Sequence, residues 1–130
     1  MKALTICQPY AELIARGDKR IENRTWPTAY RGPIAIHAGK SRAWLGDDDE
    51  EAALYGVNVA EIPFGAIVAV ANLTGCLRLE DLPPALESDT HANGPWCWLL
   101  QNVRRIAPIP YRGAQGLFDV PDEIIAGRKS

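Results

Sequence analysis

The chain is poor in the residues that mark metal, disulfide and redox proteins. Its 130 residues include three cysteines and two histidines, and its net charge at pH 7 is −2. Cys7, Cys76 and Cys97 are odd in number and far apart, so the chain has no CxxC redox or zinc motif. Cys7 and Cys97 lie in apolar, strand-like runs, and we expect them to be buried, reduced thiols. His37 and His91 have no third metal ligand beside them in the sequence. We therefore predict neither a metal site nor a cofactor.

Long apolar runs and the common nucleotide-loop motifs are also missing. No hydrophobic stretch is long enough to span a bilayer, and the N-terminal residues show no apolar run followed by a cleavage site. We therefore expect a cytoplasmic protein that does not bind membranes. The chain has no nucleophile elbow, phosphate loop or dinucleotide fingerprint. Its length and 47% hydrophobic content predict one compact domain over residues 1–125 and a frayed tail over 126–130.

Charge is unevenly distributed along the chain. Residues 1–46 hold eight Lys or Arg against three acidic residues, a net charge of +5, whereas residues 47–130 hold six against thirteen, a net charge of −7. The overall charge differs from that of the strongly basic domains that often bind nucleic acid. A basic N-terminal third can nevertheless focus a positive field on one face. This pattern favours a local anion-binding cleft.

Hydrophobic periodicity predicts strands with a few scattered helices, which is typical of an α+β domain around a curved or closed sheet. Both faces of residues 65–79 are apolar, as in a strand enclosed on two sides, and Gly75 indicates a bulge. Pro108 and Pro110 predict an edge or a turn after a strand that ends at 106. The predicted strands cover residues 3–7, 20–24, 33–38, 65–79, 96–106 and 116–120. The predicted helices cover 9–16 and 41–55, and residues 82–93 are predicted to form a mobile polar lid.

The most informative segment is Gly17–Arg24, which places alternating charges directly behind a short helix. In an extended strand, Arg20, Glu22 and Arg24 lie on one face, and Lys19 stands where that strand begins. Such a row can bind a polar or anionic ligand. It can equally be a solvated edge strand, because charged edges are common for reasons unrelated to ligands. The residues alone leave both interpretations open.

The pattern Gly17-x-Lys19-x-x-Glu22-x-Arg24 resembles the signature of the ASCH domain, a branch of the PUA-like superfamily. The flanking segments agree with it in order along the chain: Gln8-Pro9-Tyr10 before it, then Trp26, Tyr30-Arg31-Gly32-Pro33, Pro63-Phe64-Gly65 and Trp96-x-Trp98 after it. The resemblance covers nearly the whole chain. It implies a PUA-like mixed β-barrel, or pseudo-barrel, with a few short helices, and RNA or a nucleotide as the ligand.

Polar residues around this signature are the first candidates for a ligand site. Lys19 can anchor an anion or, with a lowered pKa, act as a base; it can also be an exposed lysine in a turn. Glu22 can pair with Lys19, accept from the amino group of a base, or form an ion pair with Arg24. The amide of Gln8 can read a base edge or cap the helix. His37 can face the cleft or be a buried structural histidine.

Aromatic residues are the second group of candidates. Trp96 and Trp98 share one strand face, where they can stack on a base or belong to the core. Trp26 and Tyr10 flank the signature, and His91 is predicted to take no part. The predicted cleft comprises Gln8, Tyr10, Lys19, Glu22, Arg24 and Trp26, with Lys40 placed at a phosphate.

These residues support two functions of different classes. The leading hypothesis is binding of single-stranded RNA or a nucleotide. The alternative is a hydrolase acting on a modified nucleoside or on RNA, with Lys19 and Glu22 as catalytic acid and base.

The resemblance bears on the hydrolase alternative, since ribonuclease activity is associated with some ASCH proteins. Another branch of the family, the amidohydrolases, pairs a lysine with a threonine three residues later. Lys19 matches that lysine, but Glu22 stands at the threonine position, so the hydroxyl needed for nucleophilic attack is missing. A third hypothesis, docking of a protein partner through the aromatic patch, stays open.

Overall fold

The structure, a computed structural model, describes residues 1–41 and 53–126. These residues form a mixed six-stranded sheet that curls into a half-barrel, with a few short helices around it. The strands are β1 (Lys2–Ile6), β2 (Ile21–Arg24), β3 (Gly32–Ala38), β4 (Ala66–Arg78), β5 (Trp96–Pro110) and β6 (Leu117–Asp119). The helices are α1 (Tyr10–Arg16), α2 (Pro84–Glu87) and α3 (Asp122–Ile125), with 3₁₀ turns at Val59–Glu61 and Leu79–Asp81. The predicted α+β class is confirmed.

The strand order across the sheet is β2-β5-β4-β3-β1-β6. β1 and β3 run parallel, and the other neighbouring strands of the described chain run antiparallel. Because parallel neighbours need a crossover, the chain leaves β1 through α1 and β2 before it returns as β3. β2 is an edge strand, and its Glu22 lies opposite Trp98 of β5. The charged signature therefore lies on an edge strand inside this crossover.

The two long strands β4 and β5 form an antiparallel pair. Its register shifts between Leu73 and Gly75, which confirms the bulge predicted at Gly75. The predicted end of the next strand at residue 106 is wrong, because β5 continues through Pro108 to Pro110. Within the described chain, β2 pairs only with residues 96–99 of β5, so the later part of β5 has one edge without a partner strand. Proline is tolerated at such an edge because no neighbouring strand needs the backbone N–H that proline lacks.

Helix α1 covers one face of the sheet. Its Ala11 and Ile14 are fully buried in a core cluster with Ile36 and Trp98. The indole nitrogen of Trp98 also donates to the carbonyl of Trp26 over 3.2 Å. The largest side chain of the core therefore ties the segment that follows β2 to the sheet.

A buried carboxylate joins α1 to β5. Glu12 accepts two hydrogen bonds from the guanidinium of Arg105, at 3.1 and 2.8 Å, and one from Arg16 at 2.9 Å. Burial alone would raise the pKa of Glu12, but these arginine bonds outweigh burial and hold the pKa below its ordinary value. The carboxylate thereby fixes the helix, and the turn that follows it, against the sheet.

Two predicted features lie outside the described residues. The helix predicted over 41–55 falls mostly within 42–52, and the predicted tail over 126–130 is described only at Ala126. In the parts of the chain that the structure does describe, no helix is both long and apolar enough to cross a membrane.

Candidate functional site

The turn after α1 determines where Lys19 lies. Gly17 ends the helix in the left-handed conformation, with φ of 85°, which a residue without a Cβ adopts at no steric cost. The backbone N–H groups of Asp18 and Lys19 then both donate to the carbonyl of Leu13, at 2.9 and 3.1 Å. Lys19 follows this tight turn and is only 3% exposed. It is therefore not the exposed turn lysine that the sequence left as an alternative.

Three charged side chains meet beside this turn. The Nζ of Lys19 lies 3.7 Å from one oxygen of Glu22 and donates to the carbonyl of Ile21. The guanidinium of Arg24 lies 2.9 Å from the other oxygen of Glu22 and donates to the carbonyl of Thr5 at 2.6 Å. Glu22 is 8% exposed and lies between the two cations. The signature is thus a connected, largely buried charge cluster.

Burial shifts the pKa values of the two central groups in opposite directions. Desolvation lowers the pKa of the Lys19 ammonium below its ordinary 10.5, although the charge of Glu22 opposes this shift. Desolvation raises the pKa of the Glu22 carboxyl above its ordinary 4.5, against the attraction of Arg24 and Lys19. Each group is therefore easier to neutralise than it is in water, as is common at sites that bind ligands or transfer protons.

The charge cluster lines a cavity of about 880 Å³, which we call the main cavity. Its walls come from the ends of β1 and β3, the start of α1, strand β2 and the loop that precedes β5. A volume of this size lies within the range of small-ligand sites, roughly 300–1,000 Å³. The predicted site residues that the structure brings together in this wall are Tyr10, Lys19, Glu22, Arg24 and Lys40.

Asn23 fastens the loop before β5 to the edge strand. Its amide nitrogen donates to the carbonyl of His91 at 2.8 Å, and its oxygen accepts from the backbone N–H groups of Asn93 and Gly94 at 2.9 and 2.8 Å. One side chain thus satisfies three backbone groups of the loop. This end of the segment predicted to be a mobile lid is therefore bonded to the sheet. The sequence pattern gave no sign of this role, because the partners lie about seventy residues away.

Aromatic rings form another side of the main cavity. The rings of Tyr10 and Tyr55 meet edge to face at 6.2 Å, and Tyr55 lies 5.7 Å from His91 at an angle of 34° between the rings. The ammonium of Lys19 lies 5.6 Å from the centre of the Tyr10 ring. His91, predicted to take no part, therefore lines the site. Desolvation and the nearby charge of Lys19 lower the pKa of its imidazole below 6.5, which keeps the ring neutral at pH 7.

Gln8 does not line the main cavity, contrary to the sequence prediction. Its side chain is fully buried, with Nε2 donating to the carbonyl of Pro63 at 2.8 Å. Its Oε1 accepts from the backbone N–H of Glu12 at 2.9 Å, within the first turn of α1. The amide is therefore satisfied at both ends by the protein, and the helix-capping alternative is the correct one.

His37 is likewise a structural residue. Its Nδ1 lies 3.1 Å from the hydroxyl of Thr5, and its Nε2 lies 2.7 Å from the carbonyl of Tyr111. The residue is 2% exposed and does not belong to the wall of the main cavity. The prediction that His37 faces the cleft is therefore wrong. Its ring instead joins β1 and β3 to the segment that follows β5.

The tryptophans do not form the predicted stacking platform. Trp98 is fully buried and packs edge to face against Trp26, with ring centres 4.8 Å apart. Trp96 is half-buried, and the guanidinium of Arg78 lies 4.7 Å from the centre of its ring. Neither of the two lines the main cavity, because their shared strand face packs against protein. Trp26 lines a smaller cavity that also includes Arg24.

Potential metal ligands are not clustered in the described chain. No group of three or more His, Cys, Asp or Glu among residues 1–41 and 53–126 is placed to hold a metal ion. Cys7, which lines the main cavity, is a free thiol whose pKa is raised by burial and by the charge of Glu22. It is therefore protonated at neutral pH.

The main cavity lies wholly within a recognised domain. The family model of the ASCH domain matches residues 4–110, which include the charge cluster and the loop that Asn23 holds. The chain belongs to the ASCH domain family. This membership confirms the resemblance drawn from the signature and its flanks.

Individual ASCH relatives show how far the likeness extends. Activating signal cointegrator 1 of Homo sapiens is 25% identical over 135 residues, and the protein of the same name from Mus musculus is 26% identical over 137 residues. Each alignment covers 97% of this chain and 23% of the relative, so the chain spans about a quarter of the length of these curated relatives. The solved structure of ASCH from Zymomonas mobilis matches with a TM-score of 0.61 at 15% identity, over 98% of this chain and 95% of that one. That likeness shows a common fold.

Proposed function

We propose that this chain acts in the cytoplasm by binding single-stranded RNA, or a nucleotide, in the main cavity. The observation that carries the proposal is the convergence of Lys19, Glu22 and Arg24 on one hollow, with Lys19 and Glu22 3.7 Å apart. Burying such charges costs desolvation free energy that apolar residues would not, so their presence in the wall of a cavity favours a role with a polar ligand. Membership of a PUA-like family supports the same class of ligand.

Cations in the cavity wall would hold the phosphate groups. Lys19 and Arg24 outnumber the carboxylate of Glu22 that lies between them, and Lys40 adds an exposed ammonium to the wall. Contacts between such groups and phosphate supply much of the affinity for nucleic acid and make that affinity depend on salt. The positive charge needed for binding is therefore local, in a chain whose net charge is −2.

Glu22 and the aromatic rings would hold the base. A carboxylate accepts a hydrogen bond from the exocyclic amino group of cytosine. Tyr10, Tyr55 and His91 add ring surfaces to the same cavity, and stacking on such rings contributes ~1–3 kcal/mol per base. Gln8 has no part in this arrangement, because its buried amide is already bonded at both ends.

Removing the charge of Lys19 tests the proposal. Lys19→Met keeps a long unbranched side chain, one atom shorter than lysine, and removes its charge. Lys2→Met is the matched control, because Lys2 pairs with Asp119 at the start of β1 and does not line the main cavity. We expect Lys19→Met to weaken binding of short single-stranded RNAs about tenfold or more. The slope of log K against log salt should also become shallower by about 0.7, the value for one phosphate contact on a single strand.

Fluorescence anisotropy at several salt concentrations measures both quantities. Lys2→Met should change neither, and circular dichroism and urea unfolding establish that both variants are folded. If Lys19→Met binds RNA with the affinity and salt slope of the wild type, the proposed role of the cavity is wrong.

Hydrolysis of a modified nucleoside or of RNA is a second candidate function. It is favoured by the opposite pKa shifts of Lys19 and Glu22, which lie within reach of one bound group. Thr25, the hydroxyl nearest the signature, is exposed and does not line the main cavity. The wall instead contains Thr5, whose hydroxyl lies 3.1 Å from the Nδ1 of His37. The nucleophile would be a water molecule, the 2′-hydroxyl of an RNA substrate, or one of the aliphatic hydroxyl and thiol groups in the wall, which belong to Thr5, Cys7, Ser41 and Thr90.

Product analysis separates this candidate from binding alone. Acylated cytidines and short RNAs are incubated with the protein, and products are resolved by chromatography. Catalysis predicts product that is lost in Lys19→Met and Glu22→Gln, with loss in Thr5→Val if the hydroxyl is the nucleophile. Binding alone predicts no product from any of these substrates.

A further inference from the structure

A second, smaller cavity adjoins the main one. It has a volume of about 460 Å³, and its wall includes Trp26 and residues 114–116. Thr5 and Arg24 line both cavities. The two cavities are therefore neighbours, and these two side chains lie at the boundary between them.

Arg24 carries hydrogen-bond donors at this junction. One terminal nitrogen donates to the carbonyl of Thr5 and pairs with Glu22, which fixes the guanidinium in place. Its Nε is buried and has no hydrogen-bond partner among the described residues, while 23% of the side chain stays exposed. The buried Nε is out of reach of a ligand, so a phosphate would contact the exposed part of this fixed guanidinium through charge-assisted hydrogen bonds.

The far wall of the smaller cavity is fixed by the core. His37 bonds the carbonyl of Tyr111, where the segment leading to residues 114–116 begins. Gly113 then approaches β1 and β3 so closely that a Cβ there would lie 2.7 Å from the ring of His37 and 2.8 Å from the hydroxyl of Thr5. Glycine at this position allows the close approach, which packs this segment against β1 and β3.

Trp26 supplies an aromatic surface to this cavity. Its ring packs edge to face against Trp98 at 4.8 Å, and its carbonyl accepts from the Trp98 indole at 3.2 Å. The ring is nevertheless only half-buried. A partly exposed tryptophan that is held by the core is the kind of surface on which a nucleobase stacks.

We propose that the ligand is an oligonucleotide strand that occupies both cavities, and not a free mononucleotide. This inference rests on the proposed function of the main cavity and adds the length of its ligand. One nucleoside lies in the main cavity beside Glu22, and the phosphodiester that follows crosses Arg24. The next base lies in the smaller cavity and stacks on Trp26.

Two matched probes test the inference by isothermal titration calorimetry. Nucleoside 3′,5′-bisphosphates and 5′-phosphorylated dinucleotides, prepared for each of the four bases, share the first nucleoside and both phosphates. The dinucleotide adds only the second nucleoside and carries less charge. Any gain in its affinity therefore comes from the second nucleoside. We expect the dinucleotide to bind about tenfold more tightly for at least one base.

Two variants show where this gain arises. Trp26→Leu removes the stacking surface, and Ala114→Leu adds a bulky neutral side chain to the wall of the smaller cavity. Both should reduce the ratio of the two affinities towards one. Ala85→Leu, on exposed α2 and away from both cavities, makes the same change and should leave the ratio unchanged.

A ratio near one for all four bases overturns the inference, as does a gain that survives both Trp26→Leu and Ala114→Leu. Either result leaves the proposed function standing if the bisphosphate binds and Lys19→Met weakens it. If Lys19→Met leaves binding of the bisphosphate unchanged, the proposed function itself fails, whatever the ratio.

Discussion

The amide nitrogen of Asn23 donates to the carbonyl of His91 over 2.8 Å and thereby holds the loop before β5 against the edge strand. The oxygen of the same side chain accepts from the backbone N–H groups of Asn93 and Gly94. One wall of the main cavity therefore depends on a single asparagine that lies between two charged residues of the signature.

Asn23→Ala should loosen this wall. The substitution leaves three backbone groups of the loop without their partner, so we expect a loss of about 1–3 kcal/mol in the free energy of unfolding. Amide hydrogen exchange at Asn93 and Gly94 should become faster, and RNA affinity should fall. Asn72→Ala, on β4 and outside the main cavity, is the matched control. Unchanged exchange at these two amides in Asn23→Ala would show that the loop is held by other contacts.

The pKa of Lys19 predicts how binding changes with pH. A lysine is charged below its pKa, and desolvation lowers the pKa of Lys19, so its charge and the RNA affinity should be lost before the pH reaches 10.5. Lys19→Arg, whose guanidinium stays charged, should bind to higher pH. Anisotropy with a 2′-O-methyl oligoadenylate, which resists alkaline cleavage, measures the profiles. Parallel profiles for the wild type and Lys19→Arg would contradict the role of this ammonium.

Glu12 predicts how stability changes with pH. Its folded-state pKa is lowered, so its ion pairs stabilise the protein above the ordinary carboxyl pKa of 4.5 and are lost as the pH falls through the lower folded value. We expect Glu12→Gln to lower the free energy of unfolding by about 1–2 kcal/mol at neutral pH, a figure reduced because the side chain of Arg105 is 39% exposed.

Urea unfolding at neutral and acidic pH measures this difference, which should shrink as the pH falls below 4.5. Glu80→Gln removes an exposed carboxylate beside Arg78 and should have little effect at either pH. A difference between Glu12→Gln and the wild type that stays constant in acid would mean that its charge does not stabilise the fold.

Trp98→Phe should affect stability without affecting binding of a mononucleotide in the main cavity. The substitution removes the indole N–H that bonds to Trp26 and part of a fully buried ring, so we expect a loss of about 1–3 kcal/mol in the free energy of unfolding. The affinity for a nucleoside bisphosphate should be unchanged, because Trp98 does not line the main cavity. A large loss of that affinity in a folded variant would mean that Trp98 contacts the ligand, although its side chain is fully buried in the free protein.

Local patterns predicted most of the strands and the residues of the signature. Gly17 indicated the turn that buries Lys19, and Gly75 indicated the bulge in β4, because glycine adopts backbone conformations that other residues avoid. The clustering of Glu22 with its two cations followed from their short spacing across the turn and β2. These features depend on neighbours in sequence.

Features that depend on distant segments were not predictable. Asn23 and His91 are sixty-eight positions apart, and nothing in either segment indicates their hydrogen bond. Strand periodicity correctly placed Trp96 and Trp98 on one face but carries no information about what covers that face. The sequence likewise placed Gln8 in the cleft, because only the fold shows that its amide is already hydrogen-bonded to the backbone of Pro63 and Glu12.

NMR mapping shows directly whether RNA binds at the charge cluster. The ¹⁵N-labelled protein is titrated with a short single-stranded RNA, and the amide shifts of each residue are followed. We expect the largest changes on residues 17–24 and 89–94, around Lys19 and His91, and they should extend to 114–116. Shifts confined to the far end of the sheet or to α2, with the amides of 17–24 unmoved at saturation, would contradict binding in the main cavity.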